Sequence, residues 1–166
     1  MADDFQPARY AKLIPKAFGA PPADLARKAT GATITTINGE EIIDFAAGIG
    51  TLNAGHCPPA VVDAIQKQAE NLIHTCFQVY PYGPYLDVVE QLVEMTPGDH
   101  PKKGILFNSG AEAVENAIKI ARNATGRGTV LCFEGAFHGR TLMALSLTSK
   151  AATYKRGFGP FMTDVV

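Results

Sequence analysis

The 166 residues suffice for one ordinary domain, and a chain of this size can bury roughly 70% of the surface that its unfolded form exposes. A formal net charge of −1 with 19% charged residues supplies no basic stripe to follow a phosphate backbone, which argues against nucleic acid as a partner. Cys57, Cys76 and Cys132 make neither a disulfide framework nor a zinc spacing, and no apolar run reaches membrane length, so the reading is a soluble, unprocessed protein of a reducing, cytoplasmic compartment.

Residues 1–30 have weak periodicity and read as an arm, with Pro21-Pro22 ending any helix begun over 12–20. In "ATITTINGEEIIDFAAG", β-branched residues flank Asn38-Gly39, which predicts a hairpin of two short antiparallel strands. A glycine-rich loop, "GIGTLNAGHCPP", follows. Val62, Ile65, Ala69, Leu72, Ile73 and Cys76 then recur at helical spacing and predict a helix over 59–74. The aromatic run "HTCFQVYPYGPY" leads to a second helix over 84–95, with Leu86, Val89, Leu92 and Val93 on one face and a stop at "TPGD".

"KGILFNSG" reads as a short buried strand over 104–108. Beyond it, "NSGAEAVENAIKIAR" becomes a helix over 110–124, with Ala111, Val114, Ala117, Ile118 and Ala121 along one side and Glu115 paired with Lys119 on the other. After Gly126 and Gly128, "TVLCFEG" reads as a second strand over 129–133, which predicts a parallel, right-handed β-α-β unit. The remainder holds a loop and a further helix. The organisation expected is an arm and hairpin segment over 1–57 and part of a larger α/β domain over 58–166.

Two places carry chemistry. Ser109, Gly110 and Ala111 stand where a strand gives way to a helix start, whose outward N–H groups and positive dipole end suit a phosphate; an ordinary β-α turn explains the same residues. The stretch is neither a Walker loop nor a dinucleotide GxGxxG. Phe137, His138 and Arg140, in "GAFHGRT", follow the next strand, where an aromatic can stack on a planar ring and an arginine can clamp a carboxylate. Taken singly they read as a core plug, a hydrogen-bonded loop residue and a solvated charge. His56-Cys57 and His74 with Cys76 lack the spacing of a metal site, so no metal is expected. The aromatic run has no interleaved basic residues and reads as core and interface.

Together, "NSGAEAVENAIKIAR" and "FEGAFHGRT" closely resemble the class III aminotransferases, which use pyridoxal phosphate on the type I transaminase fold. "FAAGIGTLNAGH" and "HTCFQVYPYGPY" narrow the likeness to the bacterial 4-aminobutyrate branch, while ornithine and acetylornithine aminotransferases share "FHGRT". The resemblance runs from about residue 27 to the end. It implies Ser109, Gly110 and Ala111 as the cofactor's phosphate cradle, Phe137 stacked on the pyridine ring with His138 beside it, Arg140 on a substrate carboxylate, and Ile49 lining the substrate pocket. It implies transfer of an amino group from 4-aminobutyrate or a related ω-amino acid to 2-oxoglutarate, in a homodimer or higher homo-oligomer.

The lysine that carries the cofactor covalently in that family has no counterpart among Lys102, Lys103, Lys119, Lys150 and Lys155. The resemblance therefore implies an incomplete type I fold, the N-terminal portion of an enzyme, inactive alone and with open sheet edges. A non-catalytic phosphate-ligand binding or assembly module is the alternative from another class.

Overall fold

The computed structural model describes residues 7–19, 24–149 and 151–166, the side chains of Pro7 and Ala151 aside. Pro21-Pro22 and Lys150 lie outside the described residues. The chain divides into two compact units, Met1–Val79 and Tyr80–Val166.

In the first unit, helix α1 (Pro7–Leu13) and a 3-10 turn (Lys16–Phe18) precede a three-stranded antiparallel sheet in the order β1 (Ala26–Thr30), β2 (Thr33–Thr36), β3 (Glu41–Ile43). The expected hairpin is β2–β3, which pairs Ile34 with Ile42 and Thr33 with Ile43. Gly39 supplies the positive φ, 88°, that closes its loop. The arm reading is corrected at β1: residues 26–30 join the sheet through Lys28↔Thr35 and Ala29↔Ile34. "ARKAT" shows no apolar alternation, so only its hydrogen-bonding neighbour makes it a strand.

The chain then enters a short helical segment, α2 (Ala47–Gly50), that passes through left-handed dihedrals: Ala47, Gly48, Ile49 and Gly50 have φ of 45°, 60°, 58° and 77°. Left-handed backbone costs an L-residue about 1–2 kcal/mol, so Ala47 and Ile49 carry strain there, and the Ala47 N–H is held by the Asp44 carboxylate. Helix α3 (Pro59–Asn71) opens on a proline at its first turn, which needs no N–H there. It stops short of the predicted residue 74 because Leu72 turns extended, at φ −161° and ψ 124°.

The second unit carries α4 (Gly83–Met95) and α5 (Gly110–Thr125), within a few residues of expectation, then α6 (Leu142–Leu147) in the stretch where a further helix is expected, and a π-helical turn at Ala151–Lys155. The predicted β-α-β unit is not formed. Residues 104–108 form no strand, and Leu106 N–H donates to the Tyr85 hydroxyl instead. The 129–133 run instead meets the C-terminal residues, through a parallel bridge of Val130 with Val165 and a bond from Cys132 N–H to Val166 O. An apolar run becomes a strand only when another backbone lies beside it, and these two runs do not lie beside each other.

The buried centre of this unit is α6, where Met143, Ala144, Leu145 and Leu147 are enclosed together with Ser146 and Thr148. Helices α4 and α5 bury no residue fully. Leu131 and Phe133 stand 76% and 84% exposed, so the apolar faces of the extended segments lack the layer that a sheet of this class covers itself with.

Candidate functional site

The start of α5 is built by a capping box. Ser109 has extended backbone, at φ −153° and ψ 159°, and its Oγ accepts from Glu112 N–H at 3.2 Å. Glu112 Oε2 in turn accepts from Asn108 N–H at 2.8 Å. The Ser-x-x-Glu spacing thus satisfies one helix-start donor, and its glutamate reaches back to the residue before the N-cap rather than to the N-cap itself, a signal present in the sequence and missed in favour of the small residues beside it. The N–H groups of Gly110 and Ala111, the first two helical positions, have no intrahelical acceptor by the geometry of an α-helix. A Cβ built on Gly110 would meet nothing within 4 Å, so the approach to those donors is open.

Residues 137–141 form the facing wall. Buried Thr148 fixes them from behind: its Oγ1 accepts from His138 N–H at 3.1 Å, and its hydroxyl proton is shared between the carbonyls of Gly139 and Ala144, both at 3.0 Å. Gly139, at φ +132°, is pressed against the first turn of α5, since a Cβ there would lie 2.8 Å from Ala111 Cβ. The two walls line an open cavity of about 660 Å³ bordered by Ser109, Gly110, Ala111, Val114 and residues 137–141. The structure thus brings together six of the seven residues expected from the sequence.

Their surroundings decide among the bland readings. Phe137 is no core plug: the residue is 52% exposed, and its ring meets that of Tyr154 edge-on with centroids 5.2 Å apart. His138 Nε2 is buried beside the cavity without a hydrogen-bond partner, which is costly unless a ligand supplies one. Arg140 is exposed and forms no ion pair among the described residues, so its guanidinium is available to an anion. Lys155 is occupied: its ammonium donates to Ser146 O at 2.7 Å and lies 5.5 Å from the Phe161 ring centre. The predicted Glu115–Lys119 pair is absent. Glu115 turns instead to α6, where its Oε1 accepts from Met143 N–H at 2.9 Å and Ala144 N–H at 3.2 Å. Helical spacing cannot tell that a second helix covers that face.

Ile49, the seventh residue, belongs to the first unit and projects from the left-handed segment with 95% exposure. Its loop is pinned at the base. Asp44 Oδ1 accepts from Ala46 and Ala47 N–H at 2.9 and 3.0 Å, while Oδ2 meets His56 Nε2 at 2.6 Å. His56 also pairs with Gly31 through two backbone hydrogen bonds. These contacts, twelve residues apart in sequence for the Asp44–His56 pair, left no readable spacing.

The His56 hydrogen bond, then the Ala47 N–H, holds the Asp44 carboxyl below the usual carboxylate range. A group whose folded pKa is depressed contributes stability above its unfolded pKa and loses it as pH falls through the folded one. Acidification below about pH 4, the ordinary carboxylate value, should therefore release the loop. Hydrogen exchange of the Ala46 and Ala47 amides, corrected for intrinsic rates, should show protection lost in that range, and Asp44→Asn should flatten the dependence. Protection unchanged down to pH 2 would refute it.

Residues 19–166 match the model of the family described as aminotransferase class-III. The chain belongs to the class III aminotransferases. This aminotransferase chain is 49% identical over 151 residues to the 5-aminovalerate aminotransferase DavT of Pseudomonas aeruginosa, covering 91% of this chain and 35% of that protein. It is 53% identical over 141 residues to a probable 4-aminobutyrate aminotransferase of Bacillus subtilis, covering 85% of this chain and 32% of the relative. It spans about a third of the length of the curated relatives it matches. Among solved structures, an ornithine aminotransferase of Toxoplasma gondii superposes with a TM-score of 0.82 at 30% identity, over 96% of this chain and 38% of that one. The fold of this aminotransferase chain is accordingly part of the type I transaminase fold, to which its three-stranded sheet and its α/β unit belong. Among the described residues no helix is long and apolar enough to cross a membrane.

Proposed function

We propose that the whole protein transfers an amino group from 4-aminobutyrate, or an ω-amino acid of similar length, to 2-oxoglutarate with pyridoxal phosphate as cofactor. The observation that carries this is the shared cavity of the cradle and the 137–141 loop, in a chain about half identical to aminotransferases named for 4-aminobutyrate and 5-aminovalerate. The fit to a phosphorylated pyridine is supported by the uncapped N–H pair at Gly110 and Ala111 and by the orphaned Nε2 of His138. When bound, the cofactor supplies an electron sink for moving the amino group and a proton.

The chain's own residues would bind and orient. Ser109, Gly110 and Ala111 hold the phosphate at the positive end of the α5 dipole. Phe137 stacks against the ring, and His138 offers Nε2 beside it. Arg140 clamps a carboxylate of the amino or oxo acid in a charge-assisted pair. Residues 58–166 would be a portion of the large cofactor domain, in a cytoplasmic homodimer or higher homo-oligomer. Ornithine and acetylornithine are the alternative donors, favoured by the structural likeness to an ornithine aminotransferase.

In the whole enzyme, Arg140→Ala should cost carboxylate substrates about 1.5–3 kcal/mol in kcat/KM, the range of a hydrogen bond to a charged group. Amines without a carboxylate should be far less affected. Equal losses for both would remove the clamp role, and absence of 4-aminobutyrate turnover by the whole protein would remove the function. The 166-residue chain should give no turnover in the same assay, because none of its lysines stands in the family's cofactor-bearing context.

A further inference from the structure

The cavity has two walls on separate segments, and something must set the gap between them. One wall is the first turn of α5; the other is the loop that runs directly into α6. Six residues are too few for a helix to hold its shape unaided. The N-cap position of α6, Thr141, makes no side-chain cap bond. Met143 is only 6% exposed and Ala144 is fully buried, so their N–H groups have no recourse to water. Both donate to one oxygen, Glu115 Oε1, which stands one helical turn beyond Ala111 on the cradle helix.

We infer that Glu115 is a positioning residue for cofactor binding: its carboxylate ties the cradle helix to the helix behind Arg140 and sets the distance between the phosphate end and the ring end of the site. The inference rests on the proposed cofactor site. A charged acceptor serves this purpose better than a neutral one because its bonds to the two N–H donors are charge-assisted and therefore stronger. A second contact fixes the same gap, the close approach of Gly139 to Ala111, so the walls are tied on both sides of residues 139–144. Loss of the tie would leave the phosphate donors and Phe137 intact, each on its own wall, but no longer at one spacing.

The test uses the whole enzyme, with pyridoxal phosphate affinity from a fluorescence titration and the visible circular dichroism of the bound cofactor as readouts. Glu115→Ala should weaken the cofactor by about tenfold or more, a factor equivalent to ~1.4 kcal/mol, and should change the dichroic band. Glu115→Gln keeps an oxygen that accepts from both N–H groups and should stay within about twofold, since a neutral acceptor weakens but does not remove such bonds. If Glu115→Ala folds with lower thermal stability but binds the cofactor with wild-type affinity and dichroism, the residue is structural only and the inference is overturned. If that variant does not fold, Glu115→Asp decides: a carboxylate one methylene shorter should shift both readouts, and no shift overturns the inference. Ala111→Asp separates the two ideas, for if it too binds cofactor normally, the cradle reading itself has failed. If it loses the cofactor while Glu115→Ala keeps it, only the positioning role has failed.

Discussion

Ala111→Asp in the whole enzyme should lower the affinity for pyridoxal phosphate by at least about a hundredfold while leaving a folded protein. Two unit charges about 4 Å apart repel by roughly 4 kcal/mol at an effective dielectric near 20, and every ~1.4 kcal/mol is a factor of ten. An acidic residue in the first turn of a helix is otherwise favourable, because it faces the positive end of the dipole, so α5 itself should not unwind. Bulk must be separated from charge, since Ala111 Cβ already lies close to the backbone of Gly139. Ala111→Asn supplies the same bulk without the charge and should lose much less affinity. A cofactor titration that matches wild type for the aspartate variant would move the phosphate elsewhere, and equal losses for both variants would make the effect steric.

Gly139→Ala should be the most damaging single methyl group in this unit. Its Cβ would lie 2.8 Å from Ala111 Cβ, 3.1 Å from Ala111 Cα and 3.0 Å from Ala144 Cβ, none of them the far end of a flexible side chain. The φ of +132° adds conformational strain for any residue with a side chain. Strain of about 1–3 kcal/mol and overpacking of about 1–3 kcal/mol give roughly 2–6 kcal/mol of lost stability, and the displaced loop should lose cofactor as well. Gly135→Ala is the fitting comparison, because its φ is also positive, +81°, but nothing lies within 4 Å of its Cβ. Denaturant unfolding of the two variants in the whole enzyme should differ by the overpacking contribution. If Gly139→Ala is no worse than Gly135→Ala, the close approach of loop to cradle does not exist in solution.

What could be read from the chain alone was whatever depends on neighbours a few residues away. The periodicity of α3, α4 and α5, the turn at Asn38-Gly39, and the meeting of small residues with a helix start are all local, so their places were legible within a few residues. The Ser109–Glu112 capping box was legible as well, since its partners are three residues apart. Strand pairing was not legible: residues 26–30 look like an arm and prove to be β1, while 104–108 looks like a strand and finds no partner. Pairing depends on which backbone comes alongside, and a single segment does not carry that information. The same limit hid the residues that hold the site in shape. Glu115 resembled a surface partner for Lys119, Thr148 an ordinary polar residue, and Asp44 and His56 two unrelated groups. Each acquired its role only when a second element arrived within hydrogen-bond reach. Sequence by itself determined which residues could meet a phosphate, a ring and a carboxylate, because that follows from side-chain chemistry and local spacing. Only tertiary structure decided that Ser109–Ala111 and Phe137–Arg140 share one cavity and what holds them at that distance, because both depend on contacts between separate segments, such as the bond from Met143 N–H to Glu115, 28 residues away.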